Sequence, residues 1–438
     1  MAVPMPASYF TGRDEESMKS PKNRRVFVVG YAAATPLGKT FDETWKRAVR
    51  GETGFRRVTR CQVDTPANVV GEIPDWNPAG LDFSSEKEAK EWNAMYVILT
   101  MAVCKDALAH ARLEMVDGVK ERTACMIGSA INGHDAYRKA TINLQEKGPN
   151  FVSNYLLPNL CANLPSGKAS MLLGFTGPIF SPQAACASGN YAIGLGARMI
   201  RDGDSDFVLA GGVDTPIMPE ILHGFANMNA IIKVTEKDRA WNDPGKASRP
   251  FSIDRQGFVL SEGAGVIVLA AEEMIPIYGL KPRAEVLGVG WTSDAHHFTR
   301  PNGPTVVRAM REAIDDAGLR PEDLQYVNTH GTSTPKGDAN EINCLREVFG
   351  NNLEHIPVSS NKSQIGHTLG AAAAIEGALT IEGMQQGIIL PTMNHIPDPA
   401  FDHVDVVPNA ARRQKVEIAM SNAFGFGGTN CCIVFKGV

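Results

Sequence analysis

Short, uninterrupted apolar runs alternate with helical patterns along most of the chain, and this alternation limits the fold more than any other feature. Apolar runs of this length are typical of strands buried on both faces of a sheet. Candidate strands cover residues 26–30, 123–128, 206–212, 264–270 and 283–290. Helical patterns lie between them, over residues 40–50, 89–111, 190–202 and 305–317. The alternation predicts an α/β protein in which helices pack in layers against sheets.

A weak internal repeat indicates two related halves. Residues 185–189 begin an Ala/Gly-rich helix that leads into the apolar strand 207–210. Residues 366–370 begin a second such helix, 371–386, which leads into the apolar residues 388–390. Duplication of one ancestral unit would explain this similarity between the two segments.

We therefore divide the chain into an N-terminal half, residues 25–275, and a C-terminal half, residues 276–438. A polar leader, residues 1–24, precedes them, and we expect it to be poorly ordered. The leader lacks the apolar segment of a secretory signal. No run in the sequence approaches the ~20 apolar residues of a membrane span.

The composition argues against several classes of protein. The chain of 438 residues has 43 Lys and Arg against 48 Asp and Glu, a net charge of −5, so a basic nucleic-acid-binding surface is not indicated. Its eight cysteines show no Cys-x-x-Cys spacing, which argues against a disulfide scaffold or a zinc site. We expect no metal, and a reducing, cytoplasmic compartment.

Cys186 differs from the other cysteines because it lies where the strand-like residues 177–181 give way to a helix. A thiol at such a turn lies near the positive end of the helix dipole, which predicts a lowered pKa and an available thiolate. The small residues 187–189 leave room for a thioester. Cys125 and Cys431, by contrast, lie in apolar strands and are typical of buried packing.

Two turns rich in small and polar residues each contain a histidine. His330 follows a short strand at residues 324–327, and Lys362 and His367 lie in a similar stretch that ends in an Ala-rich helix. A histidine at a strand end is a common active-site position in α/β proteins, but taken singly each one is about as well explained as a structural turn residue.

A glycine-rich turn with two phenylalanines, residues 424–430, precedes the last strand. It lacks the spacing of a phosphate-binding loop and leads into a strand instead of a helix. Its exposed N–H groups would suit an oxyanion hole.

Together, these segments resemble the β-ketoacyl-[acyl carrier protein] synthases of the type I/II branch, within the thiolase superfamily. The resemblance covers about residues 25–437. It rests on Ala-Ala-Cys-Ala-Ser-Gly at 184–189, His-Gly-Thr-Ser-Thr with Gly-Asp at 330–338, Asn-Lys-Ser with Gly-His at 361–367, and Gly-Phe-Gly-Gly-Thr-Asn at 425–430. It implies the thiolase fold, in which two duplicated halves form a five-layered αβαβα sandwich.

The resemblance implies a decarboxylative Claisen condensation that yields 3-oxoacyl-[acyl carrier protein] in fatty acid elongation. Cys186 would carry the acyl chain as a thioester. His330 and His367, as neutral imidazoles, would hold the carbonyl of malonyl-carrier protein while CO₂ leaves. The backbone N–H groups of Cys186 and Phe426 would form the oxyanion hole. No cofactor is needed, because phosphopantetheine arrives on the acyl carrier protein.

Supporting roles follow from the same resemblance. Lys362 would organise charge around the histidines, with Glu341 as its ion-pair partner. Thr332 and Thr334 would hydrogen-bond the pantetheine arm. Ile131 would limit acyl depth at the interface of a homodimer.

Further positions concern access to the site. Phe424 and Phe426 would gate the acyl pocket. Lys87 and Lys90 would dock the acidic carrier protein, while Glu91 stands at a third position that is usually basic.

Some residues depart from the family pattern. Gln256 and Ser261 stand where Asp and Gly are usual, and the loop that contains residues 294–299 is short. A polyketide-type ketosynthase and a non-decarboxylating thiolase stay open as alternatives. A non-catalytic chain-length factor is disfavoured, because such subunits lack the nucleophile.

Overall fold

The structure is a computed structural model that describes residues 24–74 and 94–438. The expected leader, except Arg24, and the docking candidates Lys87 and Lys90 lie outside the described residues. Arg24 is buried and pairs with Asp206 and Glu273.

The strands, in chain order, are β1 (Val26–Ala34), β2 (Arg56–Arg57), β3 (Val69–Gly71), β4 (Thr123–Gly128), β5 (Ile179–Phe180), β6 (Phe207–Asp214), β7 (Leu260–Ser261), β8 (Gly263–Ala271), β9 (Ala284–Ser293), β10 (Tyr326–Asn328), β11 (Val358–Ser359), β12 (Ile388–Ile389), β13 (Arg412–Arg413), β14 (Ile418–Gly425) and β15 (Thr429–Gly437).

The α-helices are α1 (Phe41–Val49), α2 (Met95–Ala111), α3 (His134–Lys147), α4 (Leu156–Leu160), α5 (Leu164–Leu173), α6 (Ser188–Arg201), α7 (Pro219–Asn227), α8 (Met274–Tyr278), α9 (Gly303–Asp316), α10 (Pro335–Phe349), α11 (Lys362–Ile365) and α12 (Ala372–Gln386).

The main sheet consists of two five-stranded sets that meet where β1 pairs with β9. Outward from this junction, the first set runs β1, β8, β6, β4, β5 and the second runs β9, β15, β14, β10, β11. In both sets the first two pairings are antiparallel and the last two are parallel. This identity of order and direction confirms the predicted duplication, while the boundary near residue 275 stays a prediction.

Each Ala/Gly-rich helix leads into a strand, as predicted, but the two strands do not occupy corresponding places. Helix α6 leads into β6, the third strand out from the junction, as expected. Helix α12, however, leads into β12, which pairs with β13 in a separate two-stranded sheet. The strand that corresponds to β6 is β14, whose polar Ser421 and Asn422 conceal it in an apolar pattern search.

Helices α6 and α12 form the central layer between the two sets of strands. Helix α6 packs on β4, β6 and β15, and α12 packs on β8 and β14. Helices α2 and α5 cover the outer face of the first set, and α9 covers that of the second. The order helix, sheet, helix, sheet, helix confirms the predicted five-layered sandwich.

The central layer is tight because small residues line it. A Cβ on Gly189 would lie 2.6 Å from the Ala374 nitrogen, and one on Gly265 would lie 2.6 Å from the Ile375 nitrogen. Both neighbours are backbone atoms, which cannot move aside cheaply.

Among the described helices, none combines the length and the apolar character that crossing a bilayer requires.

We expect Gly265→Ala to destabilise the protein by about 1–3 kcal/mol, because the added methyl group overpacks the backbone of α12. The matched control is Gly224→Ala in α7, where a Cβ would meet nothing within 4 Å and where Ala should instead stabilise the helix by about 0.5–1 kcal/mol. Chemical denaturation measures both changes. Equal stabilities for the two variants would contradict the close packing.

Candidate active site

A cavity of about 870 Å³ lies between the two halves and opens to the surface. Most of the residues predicted from the sequence to form the site line it: Ile131, Cys186, His330, Thr332, Thr334, Glu341, His367, Phe424 and Phe426. Lys362 lies behind this lining and is 1% exposed. The structure thus brings together four motifs that are up to 240 residues apart in sequence.

Cys186 lies in the 3-10 turn Ala185–Ala187, directly before α6. Ala185 has a φ of +49°, a left-handed conformation that costs a non-glycine residue about 1 kcal/mol. Thr429 Oγ1 donates to the Ala184 carbonyl at 2.7 Å, which ties this turn to β15. The Cys186 Sγ atom lies 3.0 Å from His367 Nε2.

The predicted low pKa of Cys186 is wrong. Burial raises the pKa of this thiol to about 12, although the nearby charge of Lys362 and hydrogen bonds from the backbone N–H groups of Phe426 and Cys186 lower it in part. Desolvation of the thiolate therefore outweighs the helix terminus. The same two N–H groups are those expected to form an oxyanion hole, and here they point at the sulfur.

The two histidine rings stand nearly perpendicular, with centroids 5.5 Å apart. Burial, and then the charge of Lys362, hold the pKa of both histidines well below the usual value. Both imidazoles are therefore neutral at pH 7, as predicted. His367 Nδ1 is buried and has no hydrogen-bond partner among the described residues, whereas Nε2 lies within hydrogen-bond distance of the Cys186 thiol.

The predicted partner of Lys362 is wrong. Lys362 Nζ donates to Glu376 Oε1 at 2.5 Å, and both side chains are buried. Burial raises the pKa of Glu376 to about 7 even though Lys362 lowers it. Glu376 is the one charged residue among the small and apolar residues 371–381, and a buried charge requires a partner. That contrast was the signal in the sequence, and the sequence analysis missed it.

Glu341 instead holds the turn that carries His330. Its carboxylate accepts hydrogen bonds from the backbone N–H groups of His330 at 2.9 Å and Gly331 at 2.7 Å, and from Asn422 Nδ2 at 3.2 Å. Burial raises its pKa. Glu341 thus positions the backbone of a histidine, and it forms no ion pair with Lys362 in the described structure.

Thr332 and Thr334 lie side by side on the cavity wall, with their hydroxyl oxygens 3.0 Å apart. Ser333 between them has a φ of +70°. Its N–H donates to the buried Asp338 at 3.0 Å, which holds this turn in place. Two adjacent hydroxyl groups suit the amides of an extended polar ligand.

The glycine-rich turn between β14 and β15 places Phe426 at the cavity, where it is 38% exposed. Gly427 and Gly428 have φ values of +83° and +76°, which favour glycine. The Gly427 N–H donates to the Phe298 carbonyl at 2.9 Å. The turn is therefore held against the loop that contains residues 294–299, which is short relative to the family pattern.

The two departures from the family pattern have clear surroundings. Gln256 lines the cavity and donates to Asp238 at 3.1 Å. Ser261 is fully buried, and a Cβ on Gly71 or Gly366 would lie 2.2 or 2.0 Å from its Oγ. Ser261 thus fits because both neighbours lack a side chain.

No cluster of three or more His, Cys, Asp or Glu side chains that could bind a metal occurs in the described ranges. Several buried oxygens have no protein hydrogen-bond partner among the described residues, including Glu376 Oε2, Asn328 Oδ1 and Asn422 Oδ1. Oxygen atoms of this kind suit water or a hard cation.

The chain is similar to known proteins over most of its length. Residues 23–274 match the family model described as the beta-ketoacyl synthase N-terminal domain, and residues 283–395 match the C-terminal domain. The 3-oxoacyl-[acyl-carrier-protein] synthase 2 of Staphylococcus aureus (strain N315) is 36% identical over 419 residues, which are 95% of this chain and 99% of that protein. The protein of the same name from Rhizobium meliloti (strain 1021) is 36% identical over 422 residues, 94% of this chain and 99% of that one.

Solved structures agree. A beta-ketoacyl synthase from Burkholderia phymatum STM815 has a TM-score of 0.86 and 30% identity, and the match covers 95% of this chain and all of that one. The ketosynthase of a type II PKS in complex with its acyl-carrier protein has the same TM-score, 26% identity and the same coverage. With both family domains matched in order on one thiolase-type scaffold, this chain belongs to the beta-ketoacyl synthase family.

Proposed function

We propose that this protein condenses an acyl thioester, held on Cys186, with malonyl-[acyl carrier protein] and releases 3-oxoacyl-[acyl carrier protein] and CO₂. The observation that carries this proposal is the arrangement at one sulfur. His367 Nε2 lies 3.0 Å from Cys186 Sγ, the His330 ring stands beside His367, and two backbone N–H groups point at the thiol. A nucleophile, neutral imidazoles and an oxyanion site thus meet in one cavity.

In the first half-reaction Cys186 takes the acyl group. Because burial keeps the thiol protonated, its proton must leave as the sulfur attacks, and His367 Nε2 is placed to accept it. The N–H groups of Cys186 and Phe426 stabilise the oxyanion of the tetrahedral intermediate. The bond from the acyl carbon to the carrier sulfur then breaks, and the proton passes to the departing pantetheine thiolate.

In the second half-reaction malonyl-carrier protein occupies the emptied channel. The bond to the carboxylate carbon breaks, CO₂ leaves, and the electron pair forms an enolate whose oxygen is stabilised by N–H groups of His330 and His367. Once Cys186 is acylated its sulfur no longer carries a proton, so His367 Nε2, which accepted a proton in the first step, can carry and donate one in the second. The enolate carbon then attacks the acyl group, and the Cys186 sulfur departs as a thiolate that takes up one proton from water to restore the thiol.

Lys362 supports both steps without touching the bonds that change. Its charge lowers the pKa of both histidines and of Cys186. It thereby keeps the imidazoles neutral, so that each retains a free lone pair as well as an N–H group. Glu376 balances this charge within the protein interior. The scheme requires no resident cofactor.

A polyketide-type ketosynthase is the second candidate, because neighbours of that type superpose with a TM-score of 0.86. The curated relatives at 36% identity are instead named as 3-oxoacyl-[acyl-carrier-protein] synthases. A non-decarboxylating thiolase would release no CO₂. The acyl donors accepted and the CO₂ released therefore separate these three activities.

We assign the phosphopantetheine arm to Thr332 and Thr334, the acyl end to the Ile131 side of the cavity, and a gating role to Phe426. The partner is an acyl carrier protein, and docking at Lys87 and Lys90 stays a prediction. The compartment we assign is the cytoplasm, where free thiols stay reduced.

We also assign a homodimer. Among the described strands, β5 is at the edge of the main sheet and pairs with β4 alone. Beside it lie exposed apolar side chains: Phe180 at 52%, Met171 at 72% and Leu157 at 73% exposure. An unpaired edge with such neighbours favours a second copy of the chain.

Sedimentation equilibrium should give twice the chain mass and, for Phe180→Glu, a shift toward one chain mass; a monomeric parent would contradict the assignment.

We expect the alkylation rate of Cys186 by iodoacetamide to rise about tenfold per pH unit between about pH 7 and pH 9, without a plateau. A group with a pKa near 12 is thiolate only in a small fraction that grows with pH in this range. Mass spectrometry of the Cys186 peptide measures the rate, with Cys161 as the exposed internal reference. A plateau below about pH 8 would instead support the helix-dipole argument.

The decisive test uses acyl- and malonyl-carrier protein with three variants. Cys186→Ala should retain its fold and lose acyl labelling, because no other thiol of the described residues lines the cavity. His330→Ala and His367→Ala should each release CO₂ about 10²–10³-fold more slowly. Cys431→Ala, in buried strand β15, is the control and should affect stability only. Full labelling of Cys186→Ala, or parental CO₂ release by both histidine variants, would refute the proposed function.

A further inference from the structure

The carboxylate of Asp214, at the end of β6, is fully buried behind the cavity wall and has no part in the reaction scheme. It joins two segments that are distant in sequence. Its Oδ1 accepts one hydrogen bond from Ser129 Oγ at 2.7 Å and another from the Ile131 N–H at 2.8 Å. Its Oδ2 accepts one hydrogen bond from the Ala130 N–H at 2.9 Å and another from the Gly370 N–H at 2.6 Å.

Each of these segments contributes to the cavity. Residues 129–131 follow β4, and Ala130 and Ile131 form the wall assigned to the acyl chain. Gly370 lies in the turn Leu369–Ala371, three residues after His367. Leu369 in this turn lines the cavity and has a φ of +50°. One carboxylate therefore connects the acyl wall with the turn that follows His367.

The wall at residues 129–131 and the Gly370 turn cannot move far relative to each other, because they pack through backbone atoms. A Cβ on Gly212 would lie 2.1 Å from the Gly370 carbonyl oxygen. A Cβ on Gly370 would lie 2.7 Å from the Ala130 nitrogen and 2.8 Å from Asp214 Oδ2. Since backbone yields less readily than side chains, a displacement of the wall is transmitted to the Gly370 turn.

Hydrogen bonding offsets the cost of burying this charge. Burial raises the pKa of Asp214 to about 6, while its four hydrogen-bond donors lower it. A buried carboxylate is costly even when it is well bonded, and loss of one donor leaves part of that cost uncompensated. The bonds to residues 129–131 and to Gly370 thus hold the two turns in register.

We propose that Asp214 is a positioning residue that sets the depth of the acyl pocket and the placement of His367 together. The proposal rests on the proposed function, because it assumes that the acyl chain extends along Ile131. When the hydrogen bonds to residues 129–131 weaken, the wall recedes and longer chains enter. When the bond to Gly370 weakens, His367 leaves its position and decarboxylation slows.

Two variants separate these effects. Ser129→Ala removes one donor to Asp214 and keeps the three backbone donors. Asp214→Asn preserves the shape but turns an N–H group toward backbone N–H donors. The control is Thr123→Val, which removes a buried hydroxyl at the start of β4 that donates to the Val119 carbonyl, away from the cavity.

The readouts are kcat/KM for palmitoyl- and hexanoyl-carrier protein, and CO₂ release from malonyl-carrier protein. We expect Ser129→Ala to raise the palmitoyl-to-hexanoyl ratio about fivefold or more, which corresponds to about 1 kcal/mol for one hydrogen bond. Asp214→Asn should raise this ratio too, and should slow CO₂ release about tenfold without a matching rise in KM. Thr123→Val should leave both readouts at parental values.

A ratio for Ser129→Ala equal to that of Thr123→Val would overturn the proposal, and this variant decides the matter if Asp214→Asn does not fold. Acylation of Cys186 by the two donors, followed by mass spectrometry, reads the ratio without condensation. If the parent protein is acylated but forms no 3-oxoacyl product, the proposed function fails while the inference about Asp214 is still tested.

Discussion

The buried ion pair between Lys362 and Glu376 is the interaction on which the rest of the site depends. A lysine and a glutamate that are each about 1% exposed are stable in a protein interior only when they compensate one another. The pair forms because α11, which begins at Lys362, lies shortly before α12 in the chain, and α12 belongs to the central layer. Burial has the largest effect on the pKa values of both histidines and Cys186, and the charge of Lys362 then lowers all three.

The surrounding scaffold explains why this charge can be buried at all. Helices α6 and α12 lie between two sets of strands of identical topology, and small residues bring their backbones close to one another. The nucleophile at the start of α6 and the turn before α12 therefore occupy equivalent places in the two halves. Duplication followed by divergence accounts for a site in which one half contributes the sulfur and the other contributes the imidazoles.

Burial also decides the acid-base character of the site. A thiol at a helix start would be acidic in water, but here desolvation dominates and the thiol stays protonated. The same desolvation keeps the imidazoles neutral. The thiolate nucleophile can then form by proton transfer from the sulfur to the adjacent ring. The 3.0 Å separation between Cys186 Sγ and His367 Nε2 permits this transfer.

The sequence by itself determined the layered α/β class, the duplication and the motifs that meet at the cavity, because apolar periodicity and small-residue turns are local signals. Most of the site residues that it predicted line the cavity. Strands β4, β6 and β8 were predicted within two residues at each end for this reason. Strand β14 was missed because tertiary contacts bury its Ser421 and Asn422, which overrides their low strand propensity.

Only the tertiary structure decided which groups meet. The partner of Lys362 is Glu376 and not Glu341, and Glu341 instead holds the backbone of the His330 turn. Asp214 became visible only when four donors from two distant segments were found around it. Pairing, desolvation and the resulting pKa values depend on distances in space between residues that are far apart in the chain, and no local pattern encodes those distances.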